Sequence, residues 1–139
     1  MRRAAVSDWP AIEALLRESG LPVTGARDNL DDFIVAGPDQ VLGCVGLERY
    51  GSTGLLRSLA VSPAERGNGV GRALVDACLS HARASGITTL VLLTETAEPF
   101  FARLGFRRVD RTEVPDAVRA SAEFRGACPA SAVAMLRVS

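Results

Sequence analysis

Lysine is missing from this chain. Of its 139 residues sixteen are basic, and every one is an arginine. That removes Schiff-base and lysine-nucleophile chemistry and the Walker loop, whose G-x-x-x-x-G-K-[ST] pattern needs a lysine on the phosphates. Histidine is nearly as scarce, with His81 the single copy. It falls mid-helix, and no Ser-His-Asp arrangement can be built on it. Net charge is absent too, because sixteen acids cancel the sixteen arginines; this argues against nucleic acid or membrane as a main partner. Cys44, Cys78 and Cys128 are odd in number, scattered and without a C-x-x-C pair. They point to a reducing compartment, with no metal site. The apolar runs are far shorter than the roughly 20 residues of a membrane span. The opening MRRAAVSDWPAIEALL is interrupted by Ser7, Asp8 and Glu13, unlike the apolar stretch of a signal peptide. The expected location is the cytoplasm.

What is present suits a globular domain. The apolar share is 47%, and the length fits one domain over residues 1–139. Residues 2–6 read as a short first strand. Ser7 is a candidate N-cap before Pro10, and Ile12, Leu15 and Leu16 make a helical stripe ending at Gly20. Residues 28–32 form a short helix or turn. Strands are expected over 33–36, 41–50 and 55–61, separated by Gly37-Pro38-Asp39 and by Gly51-Ser-Thr-Gly54. A helix after residue 69 carries Leu74, Ala77, Cys78 and His81 on one side and ends at Gly86. Residues 87–94 are a continuously apolar strand, as expected for burial on both faces. Thr96 would cap a helix running through Leu104, with Gly105 at C′. Strands over 106–109 and 132–138 complete the chain, with a helical turn at 115–120. The order does not alternate throughout, so the class is an α/β or α+β sandwich rather than a doubly wound fold.

The sequence RGNGVGR, residues 66–72, is the densest motif. It fails the Rossmann pattern, because Arg72 stands where the third glycine belongs. What remains is a strand, a connection, a glycine loop and a helix start. Gly67, Gly69 and Gly71 permit close backbone approach. The unpaired N–H groups of residues 68–72 and the helix dipole favour an anion, and Arg66 and Arg72 add charge. The loop is either a pyrophosphate cradle or an ordinary glycine-rich turn into a helix.

With its neighbours, this segment resembles a known family. R-x-x-G-x-G, as Arg66, Gly69 and Gly71, is similar to the acetyl-CoA signature of the GNAT N-acetyltransferases. SLAVSP (58–63) before it looks like their fourth strand, and AEPFFARLGF (97–106) resembles their A-x-x-F-Y-x-x-L-G-F segment. The resemblance implies the GNAT fold: a mixed, mostly antiparallel sheet of about seven strands flanked by about four helices. At finer grain, LLRSLAV, LLTETA, FFARLGF and CPASAVAM resemble the small arsenic-resistance N-acetyltransferases and the amino-acid acetyltransferases related to N-acetylglutamate synthase.

The resemblance implies acetyl-CoA as the donor. The backbone of Leu59, Ala60 and Val61 would pair with its pantetheine arm like an added strand. Residues Arg66, Gly67, Asn68, Gly69, Val70, Gly71 and Arg72 would hold the pyrophosphate. Thr94 stands where the family often has an asparagine facing the cofactor. Phe101 takes the place of a tyrosine that protonates the leaving thiolate, and Arg103 would reach the adenosine phosphates. The N–H of Val61 would hold the oxyanion. The glutamate that some members place early in the fourth strand is Leu55 here, which leaves Glu48, Tyr50 or water as the base.

An arginine inside an apolar strand needs a partner. In a regular strand residues 57, 59 and 61 share a face. Arg57 either pairs with an internal acid or offers its fork to a substrate carboxylate or oxyanion, and the second is favoured. It would select an amino acid or a phosphinate- or arsinate-bearing analogue. Arg49 and Phe124 are further candidates for substrate contact, the latter on a lid over residues 112–127. The expected activity is acetylation of a small amine by a monomer or homodimer. Two other readings stay open: a catalytically weak acyl-CoA sensor, and an acetyltransferase acting on proteins.

Overall fold

The strands divide their side chains between two apolar layers, and this division sets the architecture. In the computed structural model, which describes residues 1–138, Ile34, Leu47, Leu56, Leu90, Leu92 and Met135 lie in one buried cluster. Their chain neighbours Phe33, Val35, Leu55, Val91, Ala134 and Leu136 lie in clusters on the other side, as period-2 alternation requires. The strands are β1 (Arg2–Arg3), β2 (Ile34–Ala36), β3 (Gly43–Tyr50), β4 (Thr53–Val61), β5 (Thr89–Thr94), β6 (Arg107–Val109) and β7 (Val133–Val138). They form one seven-stranded sheet in the order β1-β2-β3-β4-β5-β7-β6. The β4–β5 pair is parallel, and the others are antiparallel. The expected mixed, mostly antiparallel sheet is what the structure has.

Helix α2 (Val70–Ala84) covers the first face, burying Leu74, Val75, Cys78, Leu79 and Ala82. Phe101 from α3 (Glu98–Arg103) joins it. On the opposite face α1 (Trp9–Glu18) buries Ile12, Leu15 and Leu16 over β3 and β4, in one cluster with Cys44 and Ala60. The short α4 (Asp116–Arg119) contributes Val118 to a separate cluster with Leu55, Val91 and Leu136. That face therefore has two apolar patches. Gly46, Arg57 and Glu48 lie at the seam between them, as the register of β3 on β4 shows.

Three local expectations need correction. The first strand stops at Arg3, because Asp8 accepts from the Ala5 N–H at 2.7 Å and from Arg2 Nη1 at 2.7 Å. The chain is thereby drawn into a 3-10 turn, and α1 begins after Asp8 rather than Ser7. Thr96 does not cap α3; the Thr94 hydroxyl accepts from the Ala97 N–H at 3.0 Å. The third correction bears on the site. Pairing of β3 with β4 shifts between Cys44↔Ala60 and Gly46↔Arg57, and Ser58 takes φ 60. Two β4 residues there oppose one on β3, which is a bulge. The bulge breaks the alternation, so Leu59 and Val61 pack toward α2 while Arg57 and Ala60 belong to the opposite face. Residues 57, 59 and 61 do not share a face.

Candidate active site

Strands β4 and β5 pair only over Thr53↔Thr89, Gly54↔Leu90 and Leu55↔Val91. Beyond that point they part, and among the described residues no strand lies on the β5 side of β4 from Leu56 to Val61. The gap opens into a cleft of about 760 Å³ lined by Leu56–Val61 of β4, by Leu92–Ala97, and by Phe100 and Phe101. Ser19–Pro22 after α1 and Glu123, Ala127, Cys128, Pro129 and Ala132 from the C-terminal segment complete the wall.

One end of the cleft meets the glycine loop at Arg66 and Gly71. Gly67 and Gly69 take φ 86 and 80, values that favour glycine. No side chain caps the N-terminus of α2, so its first N–H groups are available to an anion. Arg66 Nε donates to the Val61 carbonyl at 3.2 Å and ties the loop to the end of β4. An open strand edge leading to an uncapped helix start suits an extended donor with a pyrophosphate.

The other end is a buried charged cluster. Arg57 Nη1 donates to Glu48 Oε2 at 2.6 Å, and its Nε lies 3.3 Å from Glu123 Oε2. Its Nε also donates to Ser58 Oγ at 3.1 Å and its Nη2 to the Pro22 carbonyl at 3.3 Å. Tyr50 Oη donates to the second Glu48 oxygen at 2.5 Å. Cys128 Sγ lies 3.5 Å from Glu123 Oε1 as donor. Burial raises the Glu123 carboxyl above its ordinary value and outweighs the nearby Arg57. Burial also pushes the Tyr50 hydroxyl up to about 12, helped by the Glu48 charge. The Cys128 thiol is pushed up to about 12 by burial and then by Glu123, which leaves it no thiolate at neutral pH.

The sequence-derived candidates divide accordingly. Leu59, Ala60, Val61, Arg66, Gly71, Thr94, Phe101 and Arg57 line the cleft. Gly67, Asn68, Gly69 and Arg72 are exposed around the loop, and Val70 packs on the α2-side core. Arg103 is exposed and lies off the cleft wall. Arg49 is turned away as well, bonding Asp32 with its Nη2 at 2.6 Å. Phe124 does not face the cleft; it packs on the Val118 cluster, with the Arg111 guanidinium 5.7 Å from its ring centre. Glu48 and Tyr50 reach the site only through Arg57. Arg57 bonds internal acids, the other option open in the sequence, while still lining the cleft. Sequence reasoning missed Ser58, Cys128 and the wall at Ser19–Pro22. It placed Glu123 merely on a lid, because an aperiodic segment carries no signal of facing.

A family model for the acetyltransferase (GNAT) domain matches residues 29–108, a span from before β2 through most of β6. The chain belongs to the GNAT acetyltransferases. Enzymes of this family use acetyl-CoA. An amino-acid acetyltransferase of Mycobacterium tuberculosis is 36% identical to this GNAT chain over 126 residues, covering 82% of it and 71% of the relative. Rv2747 of the same organism, solved in complex with CoA, superposes with a TM-score of 0.82 at 30% identity, covering 99% of this chain and 98% of that one. N-acetylglutamate synthase from Neisseria gonorrhoeae, complexed with coenzyme A and N-acetyl-glutamate, gives a TM-score of 0.84 at 26% identity. The match covers 99% of this chain and 34% of that chain, so the GNAT chain spans about a third of the synthase.

Among the described residues no group of three or more His, Cys, Asp or Glu is placed to hold a metal ion. None of their helices is long and apolar enough to cross a membrane.

Proposed function

We propose that this GNAT enzyme acetylates the amine of a free amino acid. The splay of β4 from β5 carries the reading. It leaves an unpaired strand edge inside a cleft that runs from the uncapped α2 N-terminus to the buried charges around Arg57. Acetyl-CoA would supply the acetyl thioester. The Leu59–Val61 backbone would bind the pantetheine arm as an added strand, the Gly67–Arg72 loop would hold the pyrophosphate, and the Val61 N–H would stabilise the oxyanion. The amino-acid acetyltransferases among its relatives favour an amino acid over a protein. The buried polar end of the cleft, suited to a small zwitterion, supports the same choice. An analogue with an arsinate or phosphinate group in place of the side-chain carboxylate belongs to the same substrate class.

Phe101 has no hydroxyl to protonate the leaving sulfur. An ordinary thiol, with a pKa of about 8.5 for cysteine, departs as thiolate or takes its proton from water, so the reaction does not require one. The test is CoA release from acetyl-CoA with a panel of amino acids, including glutamate and its phosphinate and arsinate analogues. Turnover with at least one free amino acid is expected. Tight acetyl-CoA binding with no CoA release from any amine would leave the sensor reading instead.

A further inference from the structure

Glu48 and Glu123 share one arginine but are engaged very differently. Glu48 has short bonds on both oxygens, 2.6 Å from Arg57 and 2.5 Å from Tyr50, and it is not part of the cleft wall. Glu123 lines the cleft. Its contacts are long: Arg57 Nε at 3.3 Å, which also serves Ser58, and a weakly donating thiol at 3.5 Å. Its side chain is 4% exposed, and burial has raised its proton affinity. One guanidinium faces two carboxylates, so the cluster has room for a second cation. An incoming ammonium group supplies it.

We propose that Glu123 is the residue that receives the acceptor's ammonium group and takes its proton. The inference rests on the amine-acetylation reading above and assigns its base. The ammonium gives one proton to a Glu123 oxygen, and the neutral nitrogen then attacks the acetyl carbonyl. The N–C bond forms, the C–S bond breaks and the electron pair leaves with sulfur. The second nitrogen proton passes through water to the departing CoA thiolate, and the proton on Glu123 returns to solvent. The charged and titratable groups facing Glu123 are Arg57 of β4, Glu48 of β3 with Tyr50 behind it, and Cys128. Glu48 and Tyr50 are thereby positioning residues that hold Arg57. The base arises from the C-terminal segment, which compensates for Leu55 on β4.

The experiment compares the pH dependence of kcat/KM for the parent, Glu123→Gln and Glu123→Asp, with acetyl-CoA affinity measured by calorimetry on each. The parent should show a plateau through neutrality and an acid limb above the ordinary carboxylate range. Glu123→Gln should bind acetyl-CoA normally and lose roughly 10²–10⁴-fold at pH 7. Its rate should climb about tenfold per pH unit toward the pKa of the amine, since only the free amine then reacts. Glu123→Asp should keep the plateau at a lower height, and it replaces the glutamine variant if that one does not fold. A Glu123→Gln rate within threefold of the parent, a loss independent of pH, or a sloping Glu123→Asp profile overturns the assignment while amine acetylation stands. A parent that releases no CoA with any amine overturns both.

Discussion

At the scale of single residues, charge balance around Arg57 decides most. Its side chain is fully buried, and the Glu48 and Glu123 side chains are 7% and 4% exposed. Arg57→Met would leave two buried carboxylates without a counter-ion, which costs about 3–5 kcal/mol. Chemical denaturation should show that loss, and adding Glu48→Gln should recover part of it by removing one orphaned charge. An Arg57→Met protein as stable as the parent, with only a raised KM for the amino acid, would assign the guanidinium to substrate. The sequence made the need legible, since an arginine within LLRSLAV must have a partner. It did not identify that partner. Glu48 sits on a strand whose facing depends on register, and Glu123 sits in a wide turn over Glu123–Ala127 with no period to read.

At the scale of elements, two junctions tie local chemistry to the sheet. The first is the β1–α1 connection, where Asp8 accepts from Ala5 and from Arg2. The Arg2 guanidinium and the Ala5 N–H hold its carboxyl down at about 2, against 3.8 for a free one. A depressed folded-state value means stability present above the unfolded pKa and lost as pH falls through the folded one. The parent should therefore lose thermal stability between pH 4 and 2 more steeply than Asp8→Asn, which lacks the titrating group. Parallel melting profiles would deny Asp8 that role. The second junction is the glycine loop. A Cβ on Gly69 meets nothing within 4 Å, yet its φ is 80. Gly69→Val thus costs about 1–2 kcal/mol in the backbone without a clash, and it distorts the N–H groups that would face the pyrophosphate. Acetyl-CoA should bind at least about tenfold more weakly, a loss of roughly 1.4 kcal/mol; unchanged affinity would remove the loop from the cofactor site. Motif spacing exposed this junction in the sequence. The β4 bulge was not exposed, because SLAV reads as regular alternation and the φ of Ser58 has no residue signature.

For the whole molecule, the question is what a sheet gains from strands that part midway. Hydrophobic patterning placed both β4 and β5 in the core, and their class and order followed from it. It could not show where pairing ends, because a strand edge left open for a ligand has the same apolar side chains as one that is paired. An open edge costs stability that a strand-like ligand can return. If acetyl-CoA fills the gap as proposed, it binds only the folded chain and stabilises it by about 2.7 kcal/mol at a hundredfold excess over Kd. For a protein of this size that corresponds to a rise in Tm of roughly 5–10 °C. Hydrogen exchange should locate the gain. Amides of Leu59, Val61 and Gly69–Arg72 should slow on binding, while those on the Thr53–Leu55 stretch, already paired with β5, should change little. Protection spread evenly over the sheet would mean that the ligand rigidifies the fold from elsewhere. Protection confined to the glycine loop would mean that the pyrophosphate is held while the pantetheine arm stays off β4.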